Sequence, residues 1–239
     1  MFFLVSSRYR FLLGWSAKNA CTTIKLWYSE LHGLDLEPRS VHEAIGYGDT
    51  DFTRVRDSPL PLGEYRKILL IRNPYDRLIS GFLDKYVVYR QYPNLGWSTF
   101  AEFVDVLCAR DPFGERTKPP GRINKHHFVP QTGEDFYLAR RMGWNWDLVM
   151  AVETFTADLQ RLNRLVGVSA ADPGVIHKTP VADRGPCSTD AALIPIDALA
   201  PPFPAYRCFY AGRRLRSKVR KFYRDDFEYF SSLGFEYVI

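Results

Sequence analysis

Residues 66–90 read RKILLIRNPYDRLISGFLDKYVVYR, and three features of this stretch decide the fold. The apolar run Ile68–Ile71 has the length and composition of a buried strand. Asn73 is a good helix N-cap, and Pro74 suits the first helical position, where a missing N–H costs nothing. Beyond it Leu78, Phe82, Tyr86 and Tyr89 recur at helical spacing, so these four side chains are expected to form one buried face.

The same order of elements occurs on either side of this stretch. RFLLGWS (10–16) precedes CTTIKLWYSELHGL (21–34), and WDLVMAVE (146–153) precedes TADLQRLNRLVGV (156–168). Strand–helix alternation of this kind predicts an α/β fold, with a central parallel sheet flanked by helices and ligands received at the carboxyl ends of its strands. WSTFAEFVDVLCAR (97–110) reads as a helix capped by Ser98, and GRRLRSKVRKFYRDDFEYFSSL (212–233) as a C-terminal helix after Gly212. The stretch 170–204 is rich in Pro, Ala and Asp and too long for a simple connection, so it is a candidate lid or substrate loop.

With 239 residues, 46% of them hydrophobic, the chain can bury one sizeable core and is read as a single domain, 1–239. A formal charge of +5 suits an anionic ligand without requiring one. Four cysteines, at 21, 108, 187 and 208, show neither CxxC pairs nor the Cys/His spacing of a zinc site, so no metal is expected. Such sparse use reads more easily as reduced thiols, although a Cys187–Cys208 pair stays open. MFFLV runs straight into SSRYR without the basic start and long apolar stretch of a signal peptide, and no later segment approaches the ~18–20 apolar residues that span a bilayer. The expectation is a cytoplasmic protein with no transmembrane segment.

The chemistry starts at GWSAKNACTTIK (14–25). Lys18 stands just past a strand, and the N–H groups of Asn19, Ala20, Cys21, Thr22 and Thr23 can open toward an anion where the helix begins. The segment is not a Walker A loop, because no glycine directly precedes the lysine. Arg72 ends the strand of the second unit and Ser80 lies two turns into its helix. An arginine folding back toward that hydroxyl offers a bidentate cation and a neutral donor to one phosphate.

The order and spacing of WSAKNACTTIK and, about fifty residues later, IRNPYDRLISGFLDKY resemble the two cofactor motifs of the sulfotransferases, in particular the carbohydrate sulfotransferase branch. HFVPQ (127–131), VMAVETFTADLQRL (149–162) and FYRDDFEYFSSLGFEY (222–237) resemble later segments of that branch, so the likeness touches most of the chain. It implies a P-loop-like three-layer sandwich and 3′-phosphoadenosine 5′-phosphosulfate (PAPS) as co-substrate, with no metal. Lys18 and the turn from Asn19 to Thr23 then take the 5′-phosphosulfate, and Arg72 and Ser80 the 3′-phosphate. Ala17 stands where the family often has proline, and Asn73 where it usually has an acid. Neither change removes a phosphate ligand.

A hydroxyl acceptor needs a base, and an imidazole with an unperturbed pKa near ~6.5 suits neutral pH. The resemblance puts His127 first and His126 second, with Glu134 and Asp135 as alternatives. His42 and Glu43 follow, because some glycan sulfotransferases carry the base between the two motifs. His32 has no comparable support, and His177 is placed near the adenosine. Trp97, Trp144 and Trp146 either stack on sugar rings or fill the core. The implied reaction is sulfuryl transfer to a hydroxyl of a carbohydrate or glycolipid. The alternative is a non-catalytic protein that binds nucleotide or nucleic acid through the same cradle and the basic stretch 213–224. No nucleic-acid module accompanies that stretch, so nucleic acid is not the expected partner.

Overall fold

The computed structural model describes residues 1–45, 55, 57, 60–91, 95–109, 123–174, 179–182, 187 and 189–239. They form two compact units, one made of 1–73 and 131–178, the other of 74–130 and 179–239.

The first unit is built on a four-stranded sheet in the order β1 (Phe2–Ser6), β2 (Phe11–Trp15), β3 (Arg66–Ile71) and β4 (Leu148–Ala151). β2, β3 and β4 run parallel, as their burial on both faces predicts. β1 pairs antiparallel with β2, Phe2 opposite Trp15 and Ser6 opposite Phe11. The expected central parallel sheet is present in β2–β4, and the segment after Met1 adds one antiparallel edge strand, joined to β2 by a tight turn.

Alternation along each strand sorts the side chains to two sides. Phe11, Leu13, Trp15, Ile68, Leu70, Leu148 and Met150 pack with Ile24 and Trp27 of the helix Cys21–Leu31 and with Leu159 and Leu162 of the helix Phe155–Val166. Phe3 and Leu12 point the other way, into a second cluster with Tyr65, Ala139 and Trp144. Trp27 Nε1 donates to Asn163 Oδ1 at 2.9 Å, which ties the two helices of the first side together. The helix Phe155–Val166 ends at Gly167, whose φ of 71° is the left-handed conformation that closes a helix cheaply only without a Cβ.

The second unit has its own core, in which Leu78, Phe82, Tyr86, Phe100, Phe103, Phe128, Phe209 and Tyr210 meet. Pro74 opens the helix Pro74–Phe82, as the sequence predicts, but the following turns, Leu83–Val88, are π-helical. The extra residue per turn rotates the next positions outward. Tyr89 is therefore 64% exposed, with Lys85 Nζ 5.4 Å from its ring centre, and not part of the buried face expected for it. Gly81 is required by a close approach, since a Cβ there would stand 2.9 Å from the Phe128 ring.

Three further expectations are corrected in this unit. The cap of the helix Phe100–Leu107 is Thr99, whose Oγ1 accepts from Glu102 N at 3.2 Å, while Ser98 donates N–H and hydroxyl to the Glu102 carboxylate. The C-terminal helix is two helices, Arg213–Phe222 and Arg224–Ser232, broken at Tyr223. The candidate lid is not free over its described part: Ala191, Ala192, Ile196, Leu199 and Phe203 are core residues, and Ile196 N donates to Ser98 O.

Cys187 and Cys208 are joined, with Cα atoms 5.3 Å apart. The reading of reduced thiols is corrected for this pair, and the redox part of the case for a cytoplasmic address goes with it. Trp97 and Trp144 are buried core residues, so the core reading holds for these two rings, while Trp146 is half-buried and stacks near Phe136. Among the described residues no helix is long and apolar enough to cross a membrane.

Candidate active site

β2 and β3 are parallel neighbours, so the turns that leave their carboxyl ends emerge side by side. The first turn, Ser16–Ala20, is tight: Asn19 N donates back to Ser16 O at 3.1 Å. Lys18 and Ala20 have φ of 72° and 50°, which side chains with a Cβ adopt at a cost of about 1 kcal/mol or more each. The helix that follows has no side-chain cap at Ala20 and no acid in its first turn. Its leading N–H groups therefore open onto the turn, an arrangement suited to an anion.

The strained turn is held by residues from the neighbouring strand end. Asn19 is fully buried, and its Nδ2 donates to Leu70 O at 2.8 Å and to Gln131 Oε1 at 2.6 Å. Gln131 Oε1 also accepts from Arg72 N at 3.0 Å, and Gln131 Nε2 donates to Arg72 O at 2.8 Å. One buried glutamine thus satisfies both backbone groups of Arg72 and accepts from the Asn19 amide. Arg72 Nη1 closes the circuit by donating to Lys18 O at 2.7 Å. Asn73 N donates to Glu153 Oε1 at 2.9 Å, and Asp158, at the start of the helix after β4, accepts from Ala151 N and the Thr154 hydroxyl.

Lys18, Asn19, Ala20, Cys21, Thr22, Thr23 and Arg72 are therefore brought together within the first unit. Arg72 was expected to fold back toward Ser80; its side-chain hydrogen bond goes to the Lys18 carbonyl instead. Ser80 belongs to the second unit, where it is buried on the helix Pro74–Phe82 and its hydroxyl bonds to no described residue.

His127 also belongs to the second unit, on the single helical turn Lys125–Phe128. Its Nδ1 lies 2.8 Å from Asn124 Oδ1, a contact in which the ring donates and Nε2 becomes its basic nitrogen. The turn is anchored from below: buried Arg77 donates to Val129 O at 2.8 Å, and Tyr223 donates to Phe128 O at 2.7 Å. Burial pushes the Tyr223 hydroxyl well up, so it stays a donor throughout the working range. His126 is exposed beside it, and Glu134 is exposed at the head of the helix Glu134–Arg141. His32 packs between Tyr9 and Tyr28, with burial and Arg8 lowering its pKa, and is structural. His177 lies outside the described residues, as does the Asp135 side chain.

His42 is closer to the cradle than its low rank in the sequence suggests. Its Nε2 lies 2.9 Å from Thr22 Oγ1, and its Nδ1 3.3 Å from Nζ of Lys25. Lys25 is fully buried, donates to Ile45 O at 2.6 Å and sits 4.9 Å from the Trp15 ring centre. Burial lowers it from its ordinary 10.5 to about 8, with Cys21 acting the other way. The unfolded chain keeps this proton up to the higher value, so between the two values it binds more protons than the folded chain. Stability due to this group therefore rises with pH across that window and is lost as pH falls back through about 8. Urea unfolding at about pH 7.5 and about pH 9.5 is expected to show a gain in the parent relative to Lys25→Met. Equal responses of the two chains would mean that Lys25 is not desolvated.

Gln131, Glu153, Asp158 and Arg77 carry this geometry without having been singled out from the sequence. The one signal for Gln131 was its place at the end of HFVPQ; nothing local marked the others.

The Sulfotransferase family model matches residues 2–232. The human and mouse proteins called carbohydrate sulfotransferase 14 are similar at 26% and 25% identity over 182 residues, covering 66% of this chain and 45% of each relative. The chain spans about half the length of these curated relatives. No solved structure matches it significantly. An uncapped helix start behind a strained lysine turn, braced to the arginine of the next parallel strand, meets a family match over nearly the whole sequence: the chain belongs to the sulfotransferase family, whose members are transferases that draw on PAPS.

Proposed function

We propose that this chain transfers the sulfuryl group of PAPS to a hydroxyl of a carbohydrate or glycolipid by in-line displacement. The observation that carries the reading is the Lys18–Arg72 brace. Arg72 Nη1 on the Lys18 carbonyl, with Gln131 across both, fixes the lysine turn and the strand-end arginine as one rigid piece. Such a piece suits a ligand with anionic groups at both ends. The name of the similar human and mouse proteins supports a carbohydrate acceptor.

In this reading Lys18 and the N–H groups from Asn19 to Thr23 bind the 5′-phosphosulfate, Arg72 and Ser80 bind the 3′-phosphate, and His127 is the base. The acceptor oxygen forms a bond to sulfur as the bond from sulfur to the phosphate oxygen breaks, through a loose transition state like that of phosphoryl transfer. The acceptor proton passes to His127 Nε2, and the Lys18 ammonium neutralises the charge left on the leaving phosphate.

The test is calorimetric binding of 3′-phosphoadenosine 5′-phosphate (PAP) set against adenosine 5′-phosphate. Arg72→Ala is expected to weaken PAP by roughly 10–150-fold, the worth of charged hydrogen bonds of about 1.5–3 kcal/mol, and the nucleotide lacking the 3′-phosphate much less. Ser80→Ala acts in the same direction with a smaller effect. Equal losses for both nucleotides would reduce Arg72 to a brace of the Lys18 turn, and tighter binding of an oligonucleotide than of PAP would overturn the enzyme reading.

A further inference from the structure

Lys25, His42 and Thr22 form a chain of hydrogen bonds whose direction is fixed by its ends. An ammonium has donors only, so at the 3.3 Å contact His42 Nδ1 accepts from Lys25 Nζ. The proton of the neutral ring then resides on Nε2, which donates to Thr22 Oγ1 at 2.9 Å. With its oxygen occupied as acceptor, the Thr22 hydroxyl has its own proton to give, and among the described residues no acceptor takes it. The usual local acceptor for a helical threonine, the carbonyl four residues back, belongs to Lys18 and is engaged by Arg72 Nη1. Thr22 stands in the first turn of the uncapped helix, beside the N–H groups that open onto the cradle.

We infer that His42 is a positioning residue: a neutral imidazole, held as the Nε2–H tautomer by Lys25, that fixes the Thr22 hydroxyl as a donor aimed at the phosphosulfate end of the nucleotide. The inference rests on the sulfotransferase reading for its ligand. It also removes His42 from the candidate bases, because the lone pair a base would use is committed to Lys25. The buried ammonium acts on the anion through the polarised ring and hydroxyl, in a setting where such chains strengthen each member. That gives a physical purpose to a lysine held fully buried against Trp15.

Two measurements test this on the intact chain. In nitrogen-15 spectra of histidine-labelled protein without nucleotide, His42, assigned by the signal missing from His42→Gln, is expected to show a protonated Nε2 and an accepting Nδ1 at neutral pH. A proton on Nδ1, or an imidazolium, would overturn the inference. In PAP calorimetry His42→Ala and Thr22→Val are each expected to weaken binding about tenfold. The double variant should be no weaker than Thr22→Val alone, since His42 acts through that hydroxyl. His42→Gln, whose amide N–H reaches the place of Nε2–H, should restore binding to within about threefold of the parent.

A base would behave otherwise: His42→Ala and His42→Gln would lose turnover alike with PAP affinity intact, and that result sinks the proposal. Parent protein that fails to bind PAP while its ring shows the Nε2–H form would instead overturn the sulfotransferase reading and the ligand named here with it.

Discussion

Lys18→Ala is expected to lower kcat by roughly 10²–10³-fold while changing PAP affinity by less than about tenfold. The reason is where the charge grows. An ammonium facing the leaving phosphate interacts more strongly with the transition state than with the bound nucleotide, so its removal is felt in turnover before binding. The expected loss, about 2.7–4 kcal/mol, lies well beyond the ~0–1 kcal/mol of an ordinary surface ion contact, so a lysine that merely decorates a loop would not produce it. Alanine is a fair probe here because it retains the backbone carbonyl that receives Arg72 Nη1 and meets the same left-handed strain as lysine at φ 72°. Single-turnover rates and PAP titrations on Lys18→Ala and Lys18→Met decide the matter. Parent-like rates in both variants would remove Lys18 from the chemistry.

His127→Asn is expected to lower turnover by roughly 10²–10⁴-fold with PAP binding near that of the parent, and to abolish the acid limb of the rate profile. Asparagine preserves polarity and part of the volume but accepts no proton at neutral pH. The Asn124 contact adds a second arm. If Asn124 Oδ1 holds the Nδ1–H and thereby presents Nε2, Asn124→Ala should reduce the rate in part and leave the acid limb in place, as a lost orientation rather than a lost base. Melting temperature separates both from a fold defect, because the anchors of this turn, Arg77 and Tyr223, are untouched. An acid limb intact in His127→Asn would move the role to His126 or Glu134.

What could be read from the sequence was whatever depends on near neighbours. The β3 strand, the Asn73–Pro74 start and the lysine turn are each decided within a few residues, and strand–helix alternation then forces the turns after β2 and β3 to the same edge of the sheet. The resemblance named Lys18 and Arg72 as the two motif residues, and the shared sheet edge is why Arg72 Nη1 reaches the Lys18 carbonyl. Gln131 was missed as a ligand of Arg72 because the partners are 59 residues apart and a lone glutamine has no periodicity to betray it. Tyr89 was misplaced for the opposite reason: its helical spacing is sound, but a π turn between Leu83 and Val88 shifts the register, and no propensity announces one. His42 was ranked low because its link to Thr22 runs through a folded connection, and residues 170–204 looked like a lid because small apolar residues among prolines give little sign of burial. His127 was reached only by resemblance; its orientation comes from Asn124.

The Cys187–Cys208 bond closes a stretch 21 residues long whose buried side chains belong to the core of the second unit. On the chain-entropy account a loop of that size is worth roughly 3 kcal/mol, a large share of the ~5–15 kcal/mol that separates a folded domain from its denatured chain. One sequence can therefore yield two materials. Protein recovered from a reducing cytosol carries the cysteines open and a less stable second unit, the one that holds His127, while protein passed through an oxidising compartment carries the staple. Assay results from the two preparations are comparable only once the thiols have been counted.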